Sequence, residues 1–191
     1  MVKGERMKKL YYVRHGESLI NTNDIWADEP GGKNDLGLTD FGRGLVVAGA
    51  DKAKKEGLKP DLIIASPLKR TRETAEIIAR ELGYPVENIE YNKLFLEIQV
   101  GELEGSSYSD FIKNYTYADF DKFKGAETIE DLQERAAQAL KYLKTRSEKT
   151  ILVVSHSCYG RAFRRVVDDN PYTDEFSGAI SLPYGEILRL I

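Results

Sequence analysis

The stretch KKLYYVRHGESLIN, residues 8–21, sets Leu10-Tyr11-Tyr12-Val13 directly before Arg14, His15 and Gly16. A short apolar run bounded by lysines on one side and a glycine on the other reads as a buried strand, Lys9 to Val13. It ends on an arginine and on one of only two histidines in the chain. The other histidine, His156, has the same setting: EKTILVVSHS, residues 148–157, reads as a strand over Thr150 to Ser155 that runs into His156. LKPDLIIASP, residues 58–67, supplies a further strand, Asp61 to Ala65. GEILRLI at residues 185–191 reads as another, Glu186 to Ile191, and a weaker one lies around Ile89 to Phe95. Helical patterns separate these runs. The alternation predicts an α/β fold in three α/β/α layers around a mostly parallel sheet.

Helix ends are marked by residue type. Ser66 is an N-cap candidate with Pro67 at the first helical position; Leu68, Thr71, Ala75, Ile78, Ala79 and Leu82 follow on one face, and Gly83 is the stop. Thr128 with Asp131 three residues on predicts a capping box before a stripe of Ile129, Leu132, Ala136, Ala139, Leu140 and Leu143. Thr39 is expected to cap a helix to about Glu56, although Gly42, Gly44 and Gly49 each cost roughly 1 kcal/mol against alanine, so packing must hold it. A last helix is expected over about Tyr159 to Val167. Residues 106–125 fit neither period: three tyrosines and three phenylalanines stand among polar residues. Two readings are open, a lid over a site or aromatics that cover one end of the core. With Lys113, Lys122 and Lys124 this segment is a candidate to shape a small, partly apolar or anionic pocket.

Length and charge bound the function. One domain over residues 1–191 is expected from the chain length. A net charge of −3 argues against nucleic acid as the main partner. No apolar run approaches a membrane span or a signal peptide, and the expected location is the cytoplasm. A lone cysteine, Cys158, excludes an internal disulfide framework and a four-thiolate zinc site. Oligomeric state is not legible.

In a parallel α/β sheet the carboxyl ends of the strands share an edge, and ligands bind in the crevice outside it. If the strands before His15 and His156 are neighbours, the two imidazoles meet there. The strand before Ser66 brings Arg70 to the same edge, and Arg14 already stands beside His15. Two guanidiniums and two imidazoles suit an anion with several oxygens. Arg14 is then expected to bind a phosphoryl group that His15 is placed to attack.

These residues resemble the histidine phosphatase superfamily, the phosphoglycerate mutase-like family. RHGES at Arg14–Ser18, with Asn21 three residues on, is similar to its signature. LTDFG (38–42), SPLKRTRETA (66–75), EIQVGELEG (97–105), GAETIEDLQER (125–135) and VVSHS (153–157) are similar to further family stretches in the same order. Ser157 departs from the usual glycine, and GAET from the commoner G-G-E-S. The resemblance implies a phosphoglycerate mutase-like fold in the compact phosphatase branch. It implies hydrolysis of small phosphorylated metabolites, with no metal or organic cofactor. His15 would be the nucleophile that becomes a phosphohistidine. Arg14, Arg70 and His156 would complete the phosphate pocket, and Asn21 would add a contact. Glu97 would be the proton donor, with Glu102 and Glu104 as rivals in the same loop. His15 must be neutral at its attacking nitrogen, so its other ring nitrogen needs an acceptor, expected to be the Gly16 carbonyl.

Three rivals stand beside this. CYGRAFR, Cys158 to Arg164, has the C-x₅-R spacing of a cysteine-nucleophile phosphatase, but it offers a single glycine to aim backbone N–H groups, and Cys158 falls on an apolar helical face. A mutase would use the same phosphohistidine and rephosphorylate the released alcohol. A non-catalytic phosphate-binding module would keep the pocket without turnover.

Overall fold

A computed structural model describes residues 9–169 and 182–191; the rest of the expected 1–191 domain lies outside the described residues. Five strands form one sheet: β1 (Lys9–Arg14), β2 (Leu62–Ala65), β3 (Glu90–Tyr91), β4 (Thr150–Ser155) and β5 (Ile187–Arg189), in the order β3-β2-β4-β1-β5. The first four run parallel, and β5 is antiparallel to β1. β4 lies between β1 and β2, and its register pairs Arg14 with Ser155. The residues that follow, His15 and His156, therefore leave the sheet side by side.

The apolar runs are continuous because both faces of the sheet are covered. Leu10, Tyr12, Leu62, Ile64, Ile151 and Val153 pack on one face with Leu132, Ala136 and Leu140 of α5 (Ile129–Lys144) and with Ala162 and Phe163 of α6 (Ser157–Val167). Val13, Ile63, Ala65, Leu152 and Val154 pack on the other face. Their partners are Val46 and Ala50 of α2 (Asp40–Lys55) and Ala75, Ile78 and Ala79 of α3 (Lys69–Leu82). Two short helices complete the fold, α1 (Leu19–Thr22) and α4 (Tyr108–Asn114).

The expected caps at Thr39, Thr128 and Gly83 are present; Gly83 takes the left-handed conformation at φ 72°. Ser66 is a correction. Leu68, not Ser66, precedes the first turn of α3, so Pro67 also lies ahead of the helix; the Ser66 hydroxyl accepts from the Leu68 N–H at 3.5 Å and lies 2.8 Å from His156 Nε2. The weak strand expected around Ile89 to Phe95 shortens to Glu90–Tyr91 before a 3₁₀ turn, Lys93–Phe95. Two of the three glycines of α2 have a packing reason, whereas a Cβ at Gly44 would meet nothing within 4 Å. A Cβ at Gly42 would lie 2.0 Å from the Glu17 carbonyl oxygen, and one at Gly49 would lie 2.0 Å from that of Gly185. Both let α2 press against the loop that follows His15 and the chain that enters β5.

In residues 106–125 the aromatic side chains divide between the core and the hollow. Phe111 and Phe120 are buried in the core and stack at 5.3 Å between centroids, while Tyr108 and Tyr117 face the hollow described below. Among the described residues no helix is long and apolar enough to cross a membrane.

Candidate active site

A hollow of about 350 Å³ opens at the carboxyl edge of the sheet, lined in part by Arg14, His15, Asn21, Trp26, Arg70 and Glu97. That is the size of a small-molecule site. β1 delivers Arg14 and His15, the first turn of α3 delivers Arg70, and β4 delivers His156. The rings of His15 and His156 are 5.3 Å apart at 64°. His156 is fully buried behind this wall and does not itself line the hollow.

His15 Nδ1 lies 2.7 Å from the Gly16 carbonyl oxygen. A carbonyl only accepts, so Nδ1 carries the hydrogen and Nε2 keeps its lone pair. Burial, then the charges of Arg70 and Arg14, hold the His15 pKa well below 6.5. His156 is lowered likewise, by burial first and then by Arg70. Both imidazoles are neutral near pH 7.

Two donors have no protein acceptor: Arg14 Nε and Arg70 Nη1 are buried without a hydrogen-bond partner, and His156 Nδ1 is likewise buried without one. Buried polar groups are rarely left so, and Arg14 and Arg70 bring these N–H groups to a hollow where a multi-oxygen anion could accept from them. The remaining contacts hold the forks in place. Arg70 Nη2 donates to the Ala27 carbonyl at 3.0 Å. Arg14 Nη1 donates to the Leu182 carbonyl at 3.4 Å, and its guanidinium carbon sits 3.9 Å from the Tyr184 ring centroid. Asn21 lines the hollow and is exposed; its Oδ1 accepts from the Ser18 N–H at 3.0 Å and the Ser18 hydroxyl at 2.8 Å, which leaves Nδ2 as its donor.

Of the three loop glutamates, Glu97 alone reaches the hollow. Its Oε2 accepts from the N–H groups of Ser157 and Cys158 at 3.1 and 3.2 Å, and its Oε1 from those of Tyr159 and Ile98 at 2.8 and 3.0 Å. The carboxylate thereby satisfies the open donors of the α6 N-terminus. Its backbone is fixed from below: Arg135 grips Glu127 with two N–H groups at 2.7 and 2.6 Å and donates to the carbonyls of Leu94, Leu96 and Glu97. Glu102 accepts from the Lys124 N–H, and Glu104 from Asn34 and the Asp28 N–H, both away from the hollow.

Cys158 is buried, and desolvation pushes its thiol up to about 12. A thiol held protonated is a poor nucleophile. The lysines of residues 106–125 do not shape the hollow: Lys113 pairs with Asp110 at 2.9 Å and Lys122 with Asp119 at 2.6 Å, and neither they nor Lys124 line it. Trp26, Ser66, Tyr117, Arg161 and Tyr184 belong to the site or its walls and carry no local sign of it in the sequence; each arrives by long-range packing.

Residues 10–181 match the family described as the histidine phosphatase superfamily (branch 1). The chain belongs to the histidine phosphatase superfamily. Among relatives of this superfamily, a phosphoglycerate mutase of Schizosaccharomyces pombe is 28% identical over 84% of this chain and 78% of its own length. A Bacillus subtilis protein named uncharacterized phosphatase PhoE is 30% identical over 78% of this chain and 72% of its own. Among solved structures, Bacillus stearothermophilus YhfR superposes with a TM-score of 0.77 at 25% identity, covering 95% of this chain and 90% of that one. The mixed sheet with helices on both faces is the histidine phosphatase arrangement.

Proposed function

We propose that this histidine phosphatase hydrolyses small phosphomonoesters through a phosphohistidine on His15, without a metal or organic cofactor. The observation that carries the reading is the His15–Gly16 contact beside two arginines with unpartnered N–H groups. It supports the reading because that tautomer leaves Nε2 with a lone pair beside N–H groups suited to equatorial phosphoryl oxygens.

In the first step the Nε2 lone pair forms an N–P bond as the P–O bond to the alcohol breaks. Arg14 and Arg70 take the charge of the PO₃ unit, with His156 completing the pocket from behind His15 once the phosphoryl group is bound, and Asn21 Nδ2 adds a donor. Glu97 gives its proton to the departing alkoxide. In the second step water attacks phosphorus, its proton passes to Glu97, and the N–P bond breaks to release phosphate and neutral His15. A mutase outcome differs only in whether the alcohol stays to be rephosphorylated. The likeness to a phosphoglycerate mutase keeps that as the second reading, and dependence on a bisphosphate primer would favour it.

The test is turnover of p-nitrophenyl phosphate in the presence of a chelator by wild type and His15→Ala. The expected result is steady hydrolysis by wild type, a loss of at least about a thousandfold in the variant, and a base-stable, acid-labile PO₃ adduct on the peptide that contains residue 15. Equal turnover by both proteins would overturn the reading.

A further inference from the structure

His156 is held by hydroxyl groups that arrive from the two strands beside its own. Ser66, which follows β2, places its hydroxyl 2.8 Å from His156 Nε2. Tyr12 of β1 reaches the backbone instead: its hydroxyl accepts from the His156 N–H at 3.0 Å and donates to the His156 carbonyl at 2.6 Å. One hydroxyl serves both groups because His156 is extended, at φ −128° and ψ −175°, and an extended residue turns its N–H and C=O to the same side. Nδ1 of the same residue stays without a partner.

Tyr12 pairs in the sheet with Val153, three residues before His156, so its ring leans along the strand toward the carboxyl edge. It is 1% exposed and stacks on Phe163 with 6.1 Å between centroids. A phenylalanine would fill this space with no hydroxyl to satisfy, and burying a hydroxyl is unfavourable until it is bonded. α6 also gives up a side chain to admit it. A Cβ at Gly160 would lie 2.6 Å from the Tyr12 hydroxyl oxygen and 2.7 Å from its Cε1, and glycine within a helix is unfavourable. Two unfavourable choices therefore meet at one hydroxyl, and both of its bonds go to the peptide groups of the histidine beside His15.

We propose that Tyr12 is a positioning residue of the phosphoryl site: its hydroxyl clamps the backbone of His156 and so fixes the imidazole that stands against His15. This rests on the phosphatase reading above and adds a residue to that same site. The clamp acts on the group that meets the phosphoryl oxygens, not on the acid that meets the leaving oxygen.

The test is a double-mutant cycle of Tyr12→Phe and His156→Ala, with Tyr12→Met, which also lacks the hydroxyl and adapts to the space, and His156→Asn as second variants should a first one fail to fold. It is read as kcat/KM for p-nitrophenyl phosphate and for 3-hydroxypropyl phosphate, and as the Kd of inorganic phosphate by calorimetry. Tyr12→Phe should lower kcat/KM about ten- to a hundredfold, equally for the two esters, and should raise the phosphate Kd. In the His156→Ala background the same substitution should change each readout by less than about threefold, because residues that act through one group are not additive. No effect of Tyr12→Phe in otherwise wild-type protein, or an equal loss in both backgrounds, overturns the clamp. So does a loss much larger for the alkyl ester, which would run through the α6 N-terminus to Glu97. If His15→Ala hydrolyses both esters as wild type does, the phosphatase reading falls, and the phosphate Kd still decides the clamp.

Discussion

The Arg14 guanidinium lies face-on against Tyr184, 3.9 Å from the ring centroid, and the same ring stands 6.1 Å from that of His15. Tyr184 arrives from far along the chain: it bridges to Arg14 through the backbone just before β5. A planar cation stacked on a ring loses its rotational freedom, so the fork edge is presented to the phosphate position in one orientation. Such contacts are worth about 0.5–2 kcal/mol. Tyr184→Ala should therefore lower kcat/KM by about three- to thirtyfold, whereas Tyr184→Phe, which keeps the ring face, should stay near wild type. Equal loss in both variants would mean that the hydroxyl, not the face, matters.

Glu97 is the carboxyl at the hollow, and a general acid matters in proportion to the basicity of the leaving group. Glu97→Gln should slow hydrolysis of alkyl phosphates by about 10²–10⁴-fold and that of p-nitrophenyl phosphate far less. The amide nitrogen would also face backbone donors at the α6 N-terminus, so the variant should lose about 1 kcal/mol of stability, read as a lower urea midpoint. A uniform rate loss across leaving groups would remove Glu97 from the acid role.

The two buried histidines predict a pH dependence of stability. Their folded pKa values lie below the ordinary 6.5, so below that pH the unfolded chain binds more protons than the folded one. Their contribution is complete above about pH 6.5 and is lost as the pH falls toward the folded values, with a slope of at most about 1.4 kcal/mol per unit for each histidine. Asp28 works in the opposite sense: burial, opposed by the Val100 N–H, lifts it to about 6, with the Glu104 carboxylate adding to the rise. It binds a proton on folding between its unfolded value and that one. Urea midpoints should fall from about pH 7.5 to pH 6, and His156→Gln should flatten the slope whatever it does to absolute stability. A flat wild-type profile would contradict neutral burial of both rings.

Cys158→Ser should retain full activity. The thiol is held protonated at neutral pH, and a serine hydroxyl can keep the contact with Tyr117. Loss of activity with an intact fold would revive the cysteine-nucleophile reading of CYGRAFR.

What was legible in the sequence follows the range of the interactions. Continuous apolar runs that end in Arg14-His15 and Ser155-His156 announce buried parallel strands and their shared edge, and the caps at Thr39, Thr128 and Gly83 are decided within a few residues. Ser66 misled because its preference for a helix start is local: the helix starts three residues later, and the hydroxyl also meets His156, ninety residues away. Gly42 and Gly49 looked costly because their benefit lies in Glu17 and Gly185, on other elements. Lys113 and Lys122 looked like pocket cations because their pairing with Asp110 and Asp119 on the outer surface depends on the short helices that form there.

Glu104 illustrates a further role for a loop carboxylate, that of positioning residue. Arg70 is aimed by its bond to the Ala27 carbonyl, so the strap Trp26–Asp28 must itself be fixed. Glu104 Oε2 accepts from the Asp28 N–H at 2.8 Å, Glu104 Oε1 accepts from Asn34 at 3.2 Å, and the Gly105 N–H donates to the Trp26 carbonyl at 2.9 Å. Asp28 in turn accepts from the Val100 N–H at 2.5 Å. Removing Glu104 frees the strap and with it the fork that meets the phosphoryl oxygens, and a displacement of about 1 Å at such a group costs on the order of a hundredfold. Glu104→Ala should therefore lower kcat/KM by about ten- to a hundredfold and weaken inhibition by inorganic phosphate, which reads the fork directly. Glu104→Gln keeps an acceptor for Asp28 and, with Asn34 turned over, a partner there as well, so it should recover most of the activity. If Glu104→Gln were as impaired as Glu104→Ala, the negative charge and not the hydrogen bonds would be what Arg70 requires, and if neither were impaired the strap would be held by Gly105 and Val100 alone.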